Sequence, residues 1–334
     1  MAAAQKPTIR KVAELAGVSH QTVSRVLNGH PNIRPATRAR VLAVIGEVGY
    51  RPNSAARALA TRRSDRIGVL VDSSSEYGPN STLRAIESAA REAGYSVTSV
   101  TVADDRELAP NVAIEHLLAQ GIDALCVIAP RASSLDVLRD ATLAIPTLVV
   151  TAAADDHFLT ASVDQQLGAT LAVRHLVELG HRRIGHVSGP LDWLDARGRY
   201  KAWRRELRAA GLDEPAVAVG DWSADFAYEL ARRSDALAGC TAVFAANDQM
   251  ALGLIHGFTE RGVGVPDDLS VVGFDDLPEA KHFLPPLTTV RQDFGELGQR
   301  SVRALLAALA GEDFDRRAVI APRLIVRAST AAPR

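Results

Sequence analysis

The sequence is poor in cysteine, in aromatic residues and in long apolar runs. Its 334 residues include 2 Cys, and aromatic residues make up 5%. Cys126 and Cys240 cannot form the disulfide framework of a small secreted protein, so we expect reduced, buried thiols in a cytoplasmic protein. No apolar run reaches the roughly 18 residues that a membrane-spanning helix needs. Residues 1–7 lack the apolar stretch of a secretory signal, which agrees with that expectation.

The net charge of −1 is close to zero, but the charges are distributed very unevenly along the chain. Residues 1–66 carry 12 Lys and Arg against 3 Asp and Glu, whereas the remaining residues carry 26 against 36. A basic N-terminal segment on an acidic body indicates an anionic partner for that segment. Apolar residues make up 47% of the sequence, which is enough for a globular core.

The basic segment shows the pattern of three short helices over residues 8–50. Thr8 and Ser19 are candidate N-caps for the first two helices, Gly17 suits the C-cap between them, and a third helix begins at about Pro35. Two short helices joined by a glycine-containing turn are the arrangement that inserts into the DNA major groove. A plain three-helix bundle with a solvated basic face is the alternative. The apolar positions expected to face inward are Val12, Leu15, Ala16, Val23, Val26, Leu27, Val41, Leu42, Val44 and Ile45.

The second helix leaves a polar face for DNA. Gln can pair with adenine and Arg with guanine through two hydrogen bonds, so Gln21 and Arg25 are candidates for base reading. Short polar side chains and further cations suit phosphate contacts, which position the protein without specifying sequence. The candidates in this part of the chain are Thr8, Ser19, His20, Gln21, Thr22, Ser24, Arg25, Asn28 and Arg34.

From residue 67 the pattern changes to alternating short apolar strands and amphipathic helices. This alternation predicts parallel sheets covered by helices on both faces. A second series of the same kind begins near residue 165, so we expect two doubly wound lobes around a cleft. Residues 287–291 and a helix over 294–310 are expected to return to the first lobe. Ligands in such sheets bind beyond the carboxyl ends of the strands, which here face the cleft.

Polar residues that come directly after strands are the candidates for the cleft. Asn247 and Asp275 follow two strands of the second series, and Arg197 lies just inside a helix that follows another. Such side chains suit a polyhydroxylated ligand, because each makes paired hydrogen bonds to neighbouring hydroxyls. Trp222 and Phe294 could stack on the apolar face of a sugar ring, with ordinary packing as the alternative for Trp222.

Several motifs together resemble the lactose-repressor family of bacterial transcription regulators, and the resemblance covers essentially the whole chain. In the basic segment they are AGVSHQTVSRVLN at 16–28 and YRPNSAARAL at 50–59. In the body they are GDWSA at 220–224, ANDQMALG at 246–253, SVVGFDD at 270–276 and PPLTTVRQDF at 285–294.

The resemblance implies an α/β protein in three parts. An N-terminal all-α helix-turn-helix DNA-binding domain is joined to a two-lobed, doubly wound, periplasmic-binding-protein-like effector domain. The expected bounds are 1–52 for the helix-turn-helix domain, 53–66 for the hinge helix and linker, and 67–334 for the effector-binding domain. Within that domain we expect an N-terminal lobe of about 67–164 and 292–322 and a C-terminal lobe of about 165–291 and 323–334.

The resemblance also implies roles for residues of the hinge. In the family, paired hinge helices enter the minor groove of operator DNA and a leucine wedges into the central base step, which unstacks and kinks the duplex. By position that leucine is Leu59, and Asn53, Ala56 and Arg57 carry over as further DNA contacts. A plain linker helix is the alternative.

In the body, the resemblance makes Arg197, Asn247 and Asp275 ligands of effector hydroxyls. Trp222, Gln292 and Phe294 carry over as walls of the pocket. A galactoside is the leading effector. Two positions depart from the galactoside-binding pattern, since Thr151 stands where an acidic residue is expected and Val163 where an aromatic one is, so other sugars stay open.

The predicted function is a sequence-specific repressor that a sugar inducer releases from a near-palindromic operator. The alternatives are a corepressor-dependent repressor of the purine type and a sugar-binding receptor without DNA function. An enzyme is disfavoured, because the chain has no phosphate loop and no nucleophile elbow, and no metal or cofactor is expected. The partners are therefore operator DNA, a small sugar and a second copy, without a membrane. A dimer is expected because the sequence has no leucine-rich terminal helix after residues 324–327.

Overall fold

The computed structural model describes residues 7–27, 29–50, 63–72, 76–102, 109–129, 131–141, 143–153, 155–215 and 217–334. The chain forms two compact units, 1–64 and 65–334. In the described part of the chain, no helix is both long enough and apolar enough to cross a membrane.

The N-terminal unit contains the three expected helices. They are α1 (Ile9–Ala16), α2 (His20–Leu27) and α3 (Pro35–Val48). The Thr8 hydroxyl accepts a 3.3 Å hydrogen bond from the Lys11 amide, and the Ser19 hydroxyl accepts one of 3.1 Å from the Thr22 amide. Gly17 closes α1 in the left-handed region with φ of 62°. Both N-caps and the turn are thus confirmed, because each supplies a partner or a conformation that the helix ends lack.

The core of this unit is smaller than the apolar pattern predicts. It is built on Val12, Ala13, Ala16, Val23, Val26 and Val41. Leu15 and Leu42, which were expected to face inward, are each 50% exposed. Both lie about 100° around their helices from the centre of the buried stripe, since successive residues of an α-helix advance by that angle.

The body is built from two six-stranded sheets, each covered by helices. The strands are β1 (Arg66–Asp72), β2 (Ser96–Val102), β3 (Ala124–Ile128), β4 (Thr147–Val150), β5 (Leu159–Val163), β6 (Ile184–Ser188), β7 (Val217–Val219), β8 (Ala242–Ala245), β9 (Ser270–Asp275), β10 (Thr288–Arg291), β11 (Arg317–Ile320) and β12 (Arg323–Ile325). The helices are α4 (Tyr77–Glu92), α5 (Pro110–Ala119), α6 (Ala132–Asp140), α7 (Gln165–Glu178), α8 (Leu194–Ala209), α9 (Ala224–Arg233), α10 (Asp248–Glu260) and α11 (Phe294–Ala310), with a 3₁₀ turn at Ala280–His282.

The order of strands shows where the chain passes between the lobes. The first sheet runs β11-β5-β4-β3-β1-β2 and the second runs β12-β10-β9-β8-β6-β7. All paired strands are parallel except β12, which runs antiparallel to β10. The chain therefore crosses from one lobe to the other after β5, after β10 and after β11. These three crossings form the hinge of the cleft.

The structure places the returning helix in the first lobe and β10 in the second, whereas residues 287–291 were expected in the first lobe from the strand pattern and in the second from the lobe bounds. Helix α11 packs Leu297, Val302 and Leu305 into the core of the first lobe. Strand β10 pairs with β9 in the second sheet. The crossing thus lies between β10 and α11, where Gln292 and Asp293 stand.

Helices α9 and α10 pack closely because glycine stands at their contact. A Cβ on Gly253 would lie 2.0 Å from the carbonyl oxygen of Ala224, and one on Gly257 would lie 2.6 Å from that of Tyr228. Backbone atoms cannot move aside as the end of a side chain can. The sequence motif around residue 253 therefore reflects packing as well as the site.

We expect Gly253→Ala to lower the free energy of unfolding of the body by about 1–3 kcal/mol, the usual cost of overpacking. Gly295→Ala in the first turn of α11 is the matched control. Its added Cβ would meet nothing closer than 3.4 Å, and alanine favours a helix over glycine. Urea unfolding of both variants measures the difference. Equal stability of the two would contradict the close packing of α9 on α10.

Candidate functional site

A narrow cavity of about 70 Å³ lies between the lobes at the carboxyl ends of the strands. The first lobe contributes residues from the start of α4 and the ends of β3, β4 and β5. The second contributes residues that follow β5, β6, β7, β8 and β10, together with Asp275 at the end of β9. The polar side chains in its wall belong to Glu76, Tyr77, Thr82, Thr151, Ser162, Gln165, Asp195, Arg199, Asn247, Asp275 and Gln292.

The cavity brings together five of the six residues that the sequence places in the cleft. These five are Trp222, Asn247, Asp275, Gln292 and Phe294. Arg197 does not line this cavity, and its guanidinium donates two hydrogen bonds of 3.2 and 3.1 Å to the carbonyl oxygen of Leu191. The placement of Arg197 in the cavity is therefore corrected.

The arginine in the cavity is Arg199, two residues further along α8. The buried stripe of that helix contains Ala196, Arg199 and Trp203, spaced by three and four residues. Arg197 lies about 160° around the helix from Arg199, so it points the other way. The position of Trp203 in the apolar stripe was the available signal, because a cation spaced four residues before a buried tryptophan shares its face.

Arg199 belongs to a ring of four buried polar side chains. Its Nε donates to Gln165 Oε1 at 2.9 Å, and Gln165 Nε2 donates to Gln292 Oε1 at 2.9 Å. Gln292 Nε2 in turn donates to Asp275 Oδ1 at 2.7 Å, and that oxygen lies 3.8 Å from Arg199 Nη2. Gln165 and Gln292 stand on two of the three hinge crossings. The ring therefore joins the charged groups of the cavity to the hinge.

Burial shifts the charged members of the ring towards their neutral forms. It raises the pKa of Asp275 to about 6, with Asp195 adding to the shift while Arg199 and Gln292 oppose it. Burial also lowers the pKa of Arg199, against the attraction of Asp275. The separation of 3.8 Å is long for an ion pair, so neither charge is fully compensated inside the protein. Hydroxyl groups of a ligand would supply the missing hydrogen bonds.

Aromatic rings form the apolar walls of the cavity. Trp222 packs edge-on against Trp193 with 5.4 Å between ring centroids, and Phe294 packs edge-on against Tyr77 at 5.9 Å. Trp222 has φ of 73° and lies against Gly189, where a Cβ would approach the indole to 2.3 Å. Among the described residues, no partner accepts a hydrogen bond from its buried Nε1. Aromatic faces combined with polar donors are the surfaces that bind sugar rings.

Asn247 supports this wall as well as lining the cavity. Its Oδ1 accepts from the Met250 amide at 2.9 Å as the N-cap of α10, and its Nδ2 donates to the carbonyl oxygen of Trp222 at 2.9 Å. The neighbouring Asp248 turns away and accepts hydrogen bonds from the Leu277 amide and the Thr289 hydroxyl. Asn247 thus connects the start of α10 to the strained backbone of Trp222.

The two positions that depart from the galactoside-binding pattern both line the cavity. Thr151 and Val163 bring no carboxylate and no aromatic ring to the first lobe. A carboxylate stands on the opposite wall instead, on Asp195 in the first turn of α8. Burial raises the pKa of Asp195, and Arg199 opposes that shift. Sequence reasoning missed Asp195, since it precedes the arginines and follows no strand directly.

Charged groups also link the two lobes at Arg131. Arg131 Nη1 lies 3.2 Å from Asp72 Oδ1 at the end of β1, and its Nε lies 3.3 Å from Asp192 Oδ2 before α8. Its guanidinium also lies 5.2 Å from the centre of the Trp193 ring. Arg131 therefore connects the first lobe to the segment of the second lobe that contains Trp193.

In the N-terminal unit, α2 presents the polar face that the sequence predicts. The side chains of Ser19, His20, Gln21 and Arg25 are exposed, while Thr22 and Ser24 are half-buried. Thr8 and Arg34 are exposed. The predicted DNA contacts Asn28, Asn53, Ala56, Arg57 and Leu59 lie outside the described residues.

The two units match two known domains. Residues 8–53 match the bacterial regulatory proteins of the lacI family, and residues 173–330 match the periplasmic binding protein-like domain. A helix-turn-helix unit joined to a two-lobed body, with a cleft of the kind that binds small molecules, defines a class of bacterial regulator.

The chain belongs to the lacI family of bacterial regulatory proteins. It is 36% identical to the lactose operon repressor of Escherichia coli (strain K12) over 98% of this chain and 91% of that protein. It is 32% identical to the transcriptional repressor PurR of Mannheimia succiniciproducens over 96% of this chain and 98% of that one.

Solved structures show the same fold. A lac repressor dimer bound to operator and the anti-inducer ONPF superposes with a TM-score of 0.87 at 35% identity, covering 98% of this chain and all of that one. The transcriptional regulator CelR in complex with cellobiose superposes with a TM-score of 0.72 at 31% identity, covering 97% of this chain and all of that one.

Proposed function

We propose that this protein is a cytoplasmic transcriptional repressor that binds a near-palindromic operator as a homodimer and is released by a small sugar. Two subunits place their α2 helices in successive major grooves, and the residues around 53–59 act as the hinge contact in the minor groove. The domain bounds of 1–52, 53–66 and 67–334 are part of this proposal. The chain performs no catalytic step in it, and its family consists of regulators.

One observation carries the proposal: the ring of Arg199, Gln165, Gln292 and Asp275. A ligand that satisfies Arg199 and Asp275 changes hydrogen bonds that reach two hinge crossings directly. The lobes can then settle in a different relative rotation, which separates the hinge segments of the dimer. Such coupling between ligand and DNA is typically about 1–3 kcal/mol per site and is reciprocal, so operator DNA weakens sugar binding by the same factor.

The wall chemistry favours a neutral sugar as the effector. Arg199 and Asp275 can each pair with neighbouring hydroxyls, Trp222 and Phe294 offer aromatic faces, and Asn247 borders them. A galactoside is the first candidate. Because residue 151 carries no acidic group and the structurally similar CelR is solved with cellobiose, a glucoside disaccharide such as cellobiose is the next class to test.

The proposal is tested with the full chain and an operator selected from random-sequence duplexes. Tight, saturable binding to the selected duplex and its loss on addition of one sugar from a panel of galactosides, glucosides and monosaccharides is the expected result. Purine bases are included in the panel. If only a purine strengthens DNA binding, the protein is a corepressor-dependent repressor. If no duplex is retained above random DNA under any condition, the function is not DNA regulation.

The raised pKa of Asp275 predicts a pH dependence of sugar binding. Below its pKa of about 6 the carboxyl of Asp275 is protonated and no longer accepts charge-assisted hydrogen bonds from sugar hydroxyls. The affinity for the sugar should therefore fall by up to about tenfold per pH unit. The stability of the ligand-free body should change with pH in the opposite direction to sugar affinity, because protonation of Asp275 stabilises the folded state. Between pH 4 and 6 the folded state holds a proton that the unfolded chain has released, so this group's contribution to stability falls as the pH rises.

Calorimetric titration of the sugar between pH 5 and 7.5 measures the binding effect, and thermal unfolding between pH 4 and 7.5 measures the stability effect. Asp275→Asn is the control, because an amide does not titrate there. It should bind the sugar more weakly at pH 7.5 and show a flat profile. A pH profile unchanged by this substitution would assign the titration to another group.

A further inference from the structure

A second and much larger cavity, of about 720 Å³, lies beside the first between the lobes. Helices α7 and α8 of the second lobe form one side, and β11 with the segment after β4 forms the other. It shares four lining residues with the narrow cavity, namely Ala152, Ser162, Val163 and Gln165. The proposed function uses only the narrow cavity and leaves this one without a role.

The larger cavity is strongly basic. Its cations are Arg174, Arg197, Lys201, Arg205 and Arg317, and the carboxylate in its lining is Asp164. Glu206, just outside the lining, pairs with Arg174 Nε at 2.7 Å and Arg205 Nε at 3.2 Å. Five positive charges therefore face two negative ones. In a body that carries an excess of Asp and Glu over Lys and Arg, this is a local reversal of charge.

Three of the cations keep their charge uncompensated. Arg197 donates to the neutral carbonyl of Leu191, and Lys201 and Arg317 form no ion pair within the part of the chain that the structure describes. The other two, Arg174 and Arg205, pair with Glu206, and Arg205 is also held by neutral partners. Arg205 donates to Gln166 at 3.1 Å and to the Thr170 hydroxyl at 2.8 Å. The wall is thus partly ordered before any ligand arrives.

The lining of the larger cavity suits an organic anion better than a free inorganic ion. Leu167, Leu194 and Val319 add apolar surface among the cations, which suits the carbon skeleton of an organic ligand. Arginine and lysine at converging positions are the groups that bind phosphate oxygens. Because Arg317 comes from the first lobe and Lys201 from the second, an anion between them would hold the two lobes together.

We propose that this basic cavity is a second effector site that binds a small phosphate-bearing metabolite and, through Gln165, modulates the response to the sugar. The binding itself stands independently of the proposed function, and only the modulation rests on it. Since Gln165 lines both cavities and belongs to the ring, occupancy of the basic cavity bears on Arg199 and on the hinge without a direct contact between the two ligands.

The test compares binding of glucose 6-phosphate, glucose and inorganic phosphate to the full chain by calorimetry at matched ionic strength. The variant Lys201→Ala/Arg317→Ala removes two exposed cations of the cavity. The control Arg182→Ala/Lys281→Ala removes one arginine and one lysine that are exposed elsewhere on the second lobe. We expect saturable binding of glucose 6-phosphate, weakened at least tenfold in the first variant and unchanged in the control.

The remaining outcomes decide the source of the anion and the fate of the proposal. Equal binding of inorganic phosphate and glucose 6-phosphate supports the site with free phosphate as its ligand. The proposal is overturned if neither glucose 6-phosphate nor inorganic phosphate binds saturably. It is also overturned if glucose 6-phosphate binding weakens equally in the cavity variant and in the control variant. Loss of glucose 6-phosphate binding in Trp222→Ala, with none in the cavity variant, also overturns it, since the compound then occupies the narrow cavity. Operator binding, measured separately, shows whether the proposed function itself has failed.

Discussion

Replacing Arg199 by alanine is expected to weaken sugar binding about a hundredfold. Two charge-assisted hydrogen bonds to hydroxyls are lost, at about 1.5 kcal/mol or more each, and every 1.4 kcal/mol is a factor of ten. The substitution also leaves the buried Asp275 without its cation, so the unfolding temperature of the ligand-free body should fall. Sugar titration and thermal unfolding of the same preparation separate the two effects.

Arg197→Ala is the matched control for this prediction. Arg197 lies on the same helix and carries the same charge, but it points away from the narrow cavity. Its loss should change sugar affinity by less than twofold. Arg199→Lys retains the charge without the planar pair of donors and should fall between the two. Sugar affinity that depended on Arg197 and not on Arg199 would disprove the assignment of the cavity.

Replacing Arg25 by alanine should weaken binding to the selected operator by about ten- to a hundredfold, because one bidentate pair with a base discriminates by about 1–3 kcal/mol. Binding to random-sequence DNA should weaken only a few-fold, since it depends on the total positive charge near the phosphates. Gln21→Ala should relax the preference at one base position. Titration of selected and random duplexes at two salt concentrations measures all three effects.

Arg40→Ala provides the comparison for Arg25. Arg40 is exposed on α3, and its substitution by alanine removes one positive charge from the N-terminal unit, as Arg25→Ala does. Its substitution should reduce binding to both kinds of duplex by a similar small factor and make the salt dependence shallower. Equal losses on selected and random DNA for Arg25→Ala would assign this residue to a phosphate contact rather than to base reading.

Much of the local architecture was predictable because it depends on neighbours in sequence. The bounds of α1, α2 and α3 match their predicted positions, since Thr8, Ser19 and Gly17 act within one turn of the helix that each begins or ends. The alternation of strands and helices was equally clear. Helix α6 and the strands β5, β11 and β12 were missed by the pattern. The three strands read LTASV, RAVI and RLI, and each is a short segment with polar or charged residues that lacks the continuous apolar run of a buried strand.

The candidate site was predictable where a residue follows a strand, and less so elsewhere. Asn247 and Asp275 stand at strand ends, so parallel topology alone brings them to one edge of the sheet. Arg199 and Asp195 lie on a helix, where which side chain faces the cleft depends on rotation about the helix axis. Two arginines at positions 197 and 199 look alike in the sequence, and only the packing of Trp203 distinguishes them.

By itself, the amino-acid sequence determined the two units, the polar face of α2 and the family to which the chain belongs, because these depend on motifs and on periodicity over short stretches. Tertiary structure alone decided that Arg199 and not Arg197 enters the cavity. It also decided that Gln165 and Gln292, 127 residues apart, join in one hydrogen-bonded ring. Side chains so distant in the chain come into contact only when both lobes have folded around the hinge, so local sequence patterns do not predict this contact.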